Sequence, residues 1–336
     1  MRAEPVLLAA GSALCLAALC TVLIAPAAAL TGWLAAAVAA AALPTGALAF
    51  LLLMRLVPGS WGEAMRLSAE AAVLLTPATL LLFLPVLLGV RWIYPWAAAP
   101  PPGFRGALLA PVPFIVLALA RFALVLVIGR RMRARRRTTA TAAIGLLLLG
   151  FLTLPVSSQW LMSLAPDFTS GAFGLQFLAR ELVIAWSALL LLRLSVGRTP
   201  PQPGVLGGVL LALLVGWGYL AFMTFLVGWS SNLPEQVGWF AGRSGGWDAA
   251  EIAFSLLAAL PAALLASDGI RRSPRRLRPL AVLTLIGQLV ELGWTALPGT
   301  GAWGLVGYVA ALAGIACLAA VALPRALRRR ISERTS

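Results

Sequence analysis

The chain has 336 residues, of which 61% are hydrophobic and only 11% charged, against roughly 25% charged in an average soluble domain. So little charge cannot clothe a water-facing globule, and lipid must be the solvent for most of the molecule. The net charge of +15 comes from 26 basic residues, all arginine, set in short runs that read as topology signals rather than a nucleic-acid face, and the lack of any histidine excludes His-ligated haem or zinc and imidazole catalysis.

Apolar stretches of about 20 residues, the length that crosses a bilayer as a helix, recur ten times. They lie at about 5–26, 32–56, 66–90, 106–129, 139–163, 171–196, 205–229, 247–269, 279–297 and 302–323. The expected fold class is all-α: a polytopic integral membrane protein forming one transmembrane domain over 1–336, with a basic tail at 324–336. The first stretch ends near Ala27–Ala29, which imitates a signal-peptide cleavage site, but it is as long as a full span and is expected to persist as an uncleaved helix. Cys15, Cys20 and Cys317 sit inside apolar stretches with no CxxC spacing, so they read as small hydrophobes.

Arginine placement supports the count of ten. With the N-terminus in the cytoplasm, 21 arginines fall on the inner side, three (Arg91, Arg105, Arg243) on the outer side and two (Arg121, Arg180) within spans. That bias puts both termini in the cytoplasm. In the third span, Glu70 lies one turn from the cytoplasmic end and is expected to snorkel to the interface, as is Asp268 at the end of the eighth. Pro77, Pro85, Pro155 and Pro261 fall within spans and should kink them. Trp92, Tyr94, Trp96, Trp229, Trp239 and Trp247 read as belt aromatics at the outer headgroup level, and Trp294 as interfacial.

Ionisable groups inside lipid are costly and normally face protein or water. Arg121 in the fourth span and Arg180 in the sixth therefore need acidic or carbonyl partners. Gln176, Arg180 and Ser187 form one stripe on the sixth span, with Glu181 about 100° round the helix. Glu291 of the ninth span and Glu251 of the eighth are equally eligible partners for Arg180. On the ninth span Thr284, Gln288, Glu291 and Thr295 fall within about 60° of one another. Such a stripe serves either an interhelical hydrogen-bond seam or a proton or ion path. After the seventh span, "WSSNLPEQVGWF" places Asn232, Pro234, Glu235 and Gln236 in an outer loop, where Asn232 can cap the helix end and Pro234 stop it. No P-loop, HExxH, GxSxG or dinucleotide fingerprint is present.

Three stretches, "WGEAMRLSAEAAVLLTPATLLLFLPVLLGVRWIYPW" (61–96), "SSQWLMSLAPDFTSGAFG" (157–174) and "LAFMTFLVGWSSNLPEQVGWFAGRSGGW" (220–247), together resemble the F subunit of bacterial alternative complex III. That family belongs to the wider NrfD / polysulfide-reductase membrane-subunit group. "WLMSL" and "NLPEQ" carry the resemblance most specifically. It departs from the family pattern at Gln159 and Gln236, which replace acids, and at Asp167, Phe168 and Thr169, which replace a His-Trp-Tyr-type segment.

The resemblance implies two adjoining four-helix bundles with peripheral helices, in a subunit of a quinol:electron-acceptor oxidoreductase of the respiratory chain. It implies a non-catalytic role, assembly beside the NrfD-like quinol-binding subunit and a proton half-channel. No cofactor is expected on this chain. Quinone would lie nearby, and haem c and iron–sulfur clusters on a multihaem cytochrome c and an iron–sulfur protein at the outer face. The lost acids put a proton path through positions 159 and 236 in doubt. The residues by themselves also fit a stand-alone transporter or proton channel using intramembrane Glu and Arg. The candidate proton-path residues are Arg121, Gln176, Arg180, Glu181, Glu251, Gln288 and Glu291. The candidate partner contacts are Asn232, Pro234, Glu235 and Gln236.

Overall fold

The computed structural model describes residues 3–134, 138–196, 202–231 and 234–335, and all regular structure among them is helical. The principal helices are α1 (Ala3–Cys20), α2 (Pro26–Leu56), α3 (Ser60–Val73), α4 (Thr76–Leu88), α5 (Pro111–Arg133) and α6 (Thr139–Trp160). They continue as α7 (Phe173–Ser195), α8 (Pro203–Ser231), α9 (Pro234–Ala241), α10 (Asp248–Ala266), α11 (Pro274–Ala296) and α12 (Gly301–Thr335). Among the described residues, nine helical segments are long and apolar enough to span a membrane, and the number is ten if α3 and α4, which meet at a 46° bend, count as one broken span. This is an all-helical, multi-pass membrane protein.

The bend in the third span has a local cause. Pro77 has no N–H to donate to Val73, four residues earlier. The Thr76 hydroxyl takes up that carbonyl instead, donating to Val73 O at 2.7 Å, and Leu74 and Leu75 turn back on Ala71 and Ala72.

α2, α3 with α4, α5 and α6 form one bundle, and α7, α8, α10 and α11 form the other. α2 is the hub, since it packs on its own bundle, on α7 of the other and on α12. It is buried on every side from Ala29 to Leu52, as expected of a helix that is apolar all round. Its alanines and glycines allow close approach. At Gly46 a Cβ would lie 2.5 Å from that of Ala185 and 2.8 Å from Glu181 O, so the two bundles meet there backbone to backbone. α1 packs on α12, and both lie outside the bundles.

Several side chains sit deeper than expected. Tyr94 and Trp96 are not belt aromatics but core: the Tyr94 hydroxyl donates to Trp160 O (2.8 Å) and the Trp96 indole to Ser163 Oγ (2.9 Å). Of that trio only Trp92 is exposed. Trp294 is likewise buried, edge-on to Trp239 and Phe254. Glu70 does not snorkel. It is fully buried, and Arg66 Nε (2.9 Å) and Arg330 Nε (3.2 Å) donate to its carboxylate. The basic tail at 324–336 is no loose appendage, because α12 runs on to Thr335 and Arg330 ties it to α3. Asp268 does sit exposed at its helix end, paired with Arg272 at 2.7 Å.

Candidate functional site

The two membrane-embedded arginines find carboxylates on different helices. Arg121 of α5 donates to Glu181 of α7 and, through Nη1, to Thr153 Oγ1 at 3.0 Å. The rings of Trp160 and Phe177 flank its guanidinium, 5.8 and 5.7 Å from their centroids. Arg180, one residue before Glu181 on α7, donates through Nε and Nη2 to both oxygens of Glu291 on α11. All four are at most 2% exposed. Adjacent α7 residues point about 100° apart, so Arg180 faces α11 while Glu181 turns to α5. The pairs therefore cross-link three helices, and Arg121–Glu181 ties the two bundles together. Glu251 pairs with neither arginine.

α7 and α11 run antiparallel, and their polar stripes face each other. Gln176 Nε2 reaches Glu291 Oε1 at 3.4 Å and its Oε1 accepts from Thr224 of α8 at 3.2 Å. Thr295 donates to Glu291 O (2.8 Å) and lies 3.4 Å from Arg180 Nη2. Seven residues on from Arg180 is Ser187, and seven back from Glu291 is Thr284, two turns in the same direction along the antiparallel pair. Ser187 Oγ, Thr284 Oγ1 and both amide atoms of Gln288 are buried without a hydrogen-bond partner among the described residues.

Beside the Arg180–Glu291 pair lies a cavity of about 400 Å³ between α7, α8, α10 and α11. Its walls are largely aromatic, including Phe173, Trp217, Phe254 and Trp294, and Glu251 and Ser255 reach it from α10. Three buried donors on its walls have no acceptor among the described residues: Arg180 Nη1 and the indole N–H groups of Trp217 and Trp294. A donor-lined apolar cavity suits a lipophilic molecule bearing an acceptor oxygen. Of the proton-path candidates, the structure thus brings Gln176, Arg180, Glu291 and Glu251 to one cavity. Gln288 falls on the stripe beyond it, and Arg121 with Glu181 in a separate pair.

The outer loops roof this region. α9 lies over it, with Trp239 stacked on Phe168 at 4.5 Å, and Gln236 Nε2 donates to Thr169 O at 3.0 Å. Pro234 is exposed as the first residue of α9, so the segment after the seventh span is a surface helix rather than a plain turn. Asn232 and the side chain of Glu235 lie outside the described residues. Gln159 donates to Leu108 O at 2.8 Å at the end of α6, away from the α7–α11 stripe.

Sequence reasoning missed Arg243. It lies over the Trp239 ring at 3.6 Å and donates to Trp239 O (2.8 Å), Trp294 O (3.2 Å) and Thr295 O (2.8 Å), clasping the outer end of α11. Desolvation lowers its pKa to about 9. The i, i+4 spacing from Trp239 was the available signal. No known protein family and no curated protein matches the chain.

Proposed function

We propose that the chain is a non-catalytic membrane subunit of a respiratory quinol-oxidising complex, with a proton half-channel in its second bundle. The observation that carries this reading is the buried column Ser187, Thr284 and Gln288 leading to Glu291 and on to the donor-lined cavity. Buried polar atoms are nearly always hydrogen-bonded to protein or to water, and a file of water between α7 and α11 would satisfy these and conduct protons. The cavity donors suit a quinone-class carbonyl approaching from lipid or from a neighbouring subunit. The three family-like stretches meet on one face, through Tyr94 with Trp160, Trp96 with Ser163, and Gln236 with Thr169. A multihaem cytochrome c and an iron–sulfur protein would dock on the exposed outer loops over these buried contacts, with the arginine-rich face in the cytoplasm of a bacterial inner membrane.

The test is isolation in mild detergent followed by reconstitution. Co-purification with a multihaem cytochrome and an iron–sulfur protein is expected, and repeated isolation of the chain alone overturns the assignment. In the reconstituted complex, Gln288→Leu, which leaves the Arg180–Glu291 pair intact, should reduce protons taken up per electron while quinol oxidation continues. An unchanged ratio removes the half-channel. Proton flux through the lone chain, lost in Gln288→Leu, would favour the stand-alone channel instead.

A further inference from the structure

Away from the aromatic cavity, a second concavity of about 440 Å³ runs along the membrane as an apolar groove. Its floor is Ala40 and Leu43 of α2. Ala188 of α7 and Leu289 of α11 form one wall and Ile315 and Pro324 of α12 the other. It exists because α12 packs chiefly on α1, α2 and α3, while α7 and α11 pack elsewhere on α2. Toward mid-membrane the gap closes where the Tyr308 hydroxyl donates to Leu289 O at 2.6 Å. From Leu312 to Pro324 the α12 wall spans about 18 Å at 1.5 Å per residue, comparable to one leaflet of a hydrocarbon core about 30 Å thick.

Two arginines flank the other end. Arg278 precedes Leu285 of the α11 wall by seven residues, and Arg328 follows Pro324 by four, so each continues the groove face of its helix. Both are exposed, and neither has a hydrogen-bond or ion-pair partner among the described residues. Nearby acids are engaged elsewhere, with Glu4 held by Arg325, Asp268 by Arg272, and Glu333 by Arg329 and Arg330. Helical side chains lean toward their own N-terminus. Counted from the Tyr308–Leu289 contact, Arg328 lies farther out than Arg278, 20 residues on against 11 back, so on antiparallel α11 and α12 this lean tips the two side chains toward each other.

We propose that the groove seats one anionic phospholipid, with an acyl chain on the α2 floor and its phosphate between Arg278 and Arg328. Two unpaired guanidinium groups match a headgroup that carries net negative charge. A zwitterionic headgroup would bring a cation against them.

The test is native mass spectrometry of the full chain, delipidated in mild detergent and then supplied with phosphatidylglycerol or acyl-matched phosphatidylcholine. One phosphatidylglycerol should be retained per chain, with at least about a tenfold preference over phosphatidylcholine, each tenfold being about 1.4 kcal/mol. Arg278→Gln with Arg328→Gln should abolish the preference; both positions are exposed, so the fold is not at stake. Ala316→Phe, which fills the groove, should release the lipid with the arginines intact. Equal retention of the two lipids, or phosphatidylglycerol retention unchanged in both variants, overturns the proposal. So does displacement by inorganic phosphate as effective as by phosphatidylglycerol vesicles, since it would show that the groove contributes nothing.

Discussion

At the scale of single residues, the buried ion pairs decide what the second bundle tolerates. Removing one partner of such a pair leaves an uncompensated charge, which costs about 3–5 kcal/mol. Arg180→Leu should therefore destabilise the chain by that amount in mixed-micelle unfolding. Adding Glu291→Gln should return much of the loss, whereas adding Glu181→Gln should deepen it, because Glu181 serves Arg121. A double variant with Glu291→Gln no better than Arg180→Leu alone would contradict the pairing. Arg243 makes a second test. Its guanidinium forks to two carbonyls at the end of α11 while stacking on Trp239. Arg243→Ala should cost about 3–6 kcal/mol, taking the two charge-assisted bonds at roughly 1.5–3 kcal/mol each. Arg243→Lys should recover under half of it, since an ammonium cannot fork. Indole fluorescence of the outer cluster is the readout.

At the scale of the helix, length and periodicity made the architecture legible, while side-chain depth was not. Nine of the ten expected spans coincide with helices long and apolar enough to cross a membrane, and the third with the bent pair α3 and α4, because a bilayer demands about 20 apolar residues whatever their neighbours. The polar stripe on α11 was visible for the same reason: 3.6-residue periodicity survives without tertiary information. Which acid meets which arginine was not visible, since that depends on helix order and rotation. Nor could composition separate a belt tyrosine from Tyr94, whose hydroxyl reaches Trp160 O sixty-six residues away. The hub helix shows the same limit, as an alanine-rich span reads alike whether it faces lipid or two bundles. Gly46 is where that packing can be broken. A larger side chain meets Ala185 Cβ and the carbonyl of Glu181, and backbone cannot yield as a side chain can. Gly46→Leu should cost at least about 1–3 kcal/mol, seen as a lowered unfolding midpoint and easier separation of the bundles. Wild-type stability would show that the bundles do not meet there.

At the scale of the whole molecule, the arginine-rich end is closed by a network that hydropathy could not anticipate. Glu70, buried on α3, is shared by Arg66 of its own helix and Arg330 from the far end of the chain, and Arg330 also holds Glu333 at 2.6 Å. A carboxylate buried at 0% exposure is expensive to leave charged, and two guanidinium groups offset that cost only while α12 stays docked. The network therefore couples the last helix to the first bundle, just as Arg121–Glu181 couples the bundles to each other and Arg180–Glu291 locks the second one internally. Glu70→Gln removes the charge and leaves Arg330 with Glu333 alone, a half-exposed partner of little worth. The end of α12 should then fray, and limited trypsin digestion should cut after Arg328, Arg329 or Arg330 several-fold faster than in the wild type. Sites between α10 and α11, at Arg271 and Arg272, should be cut at the same rate, which separates local release of α12 from general unfolding. Unchanged cleavage at the tail would mean that Glu70 does not hold α12 in place.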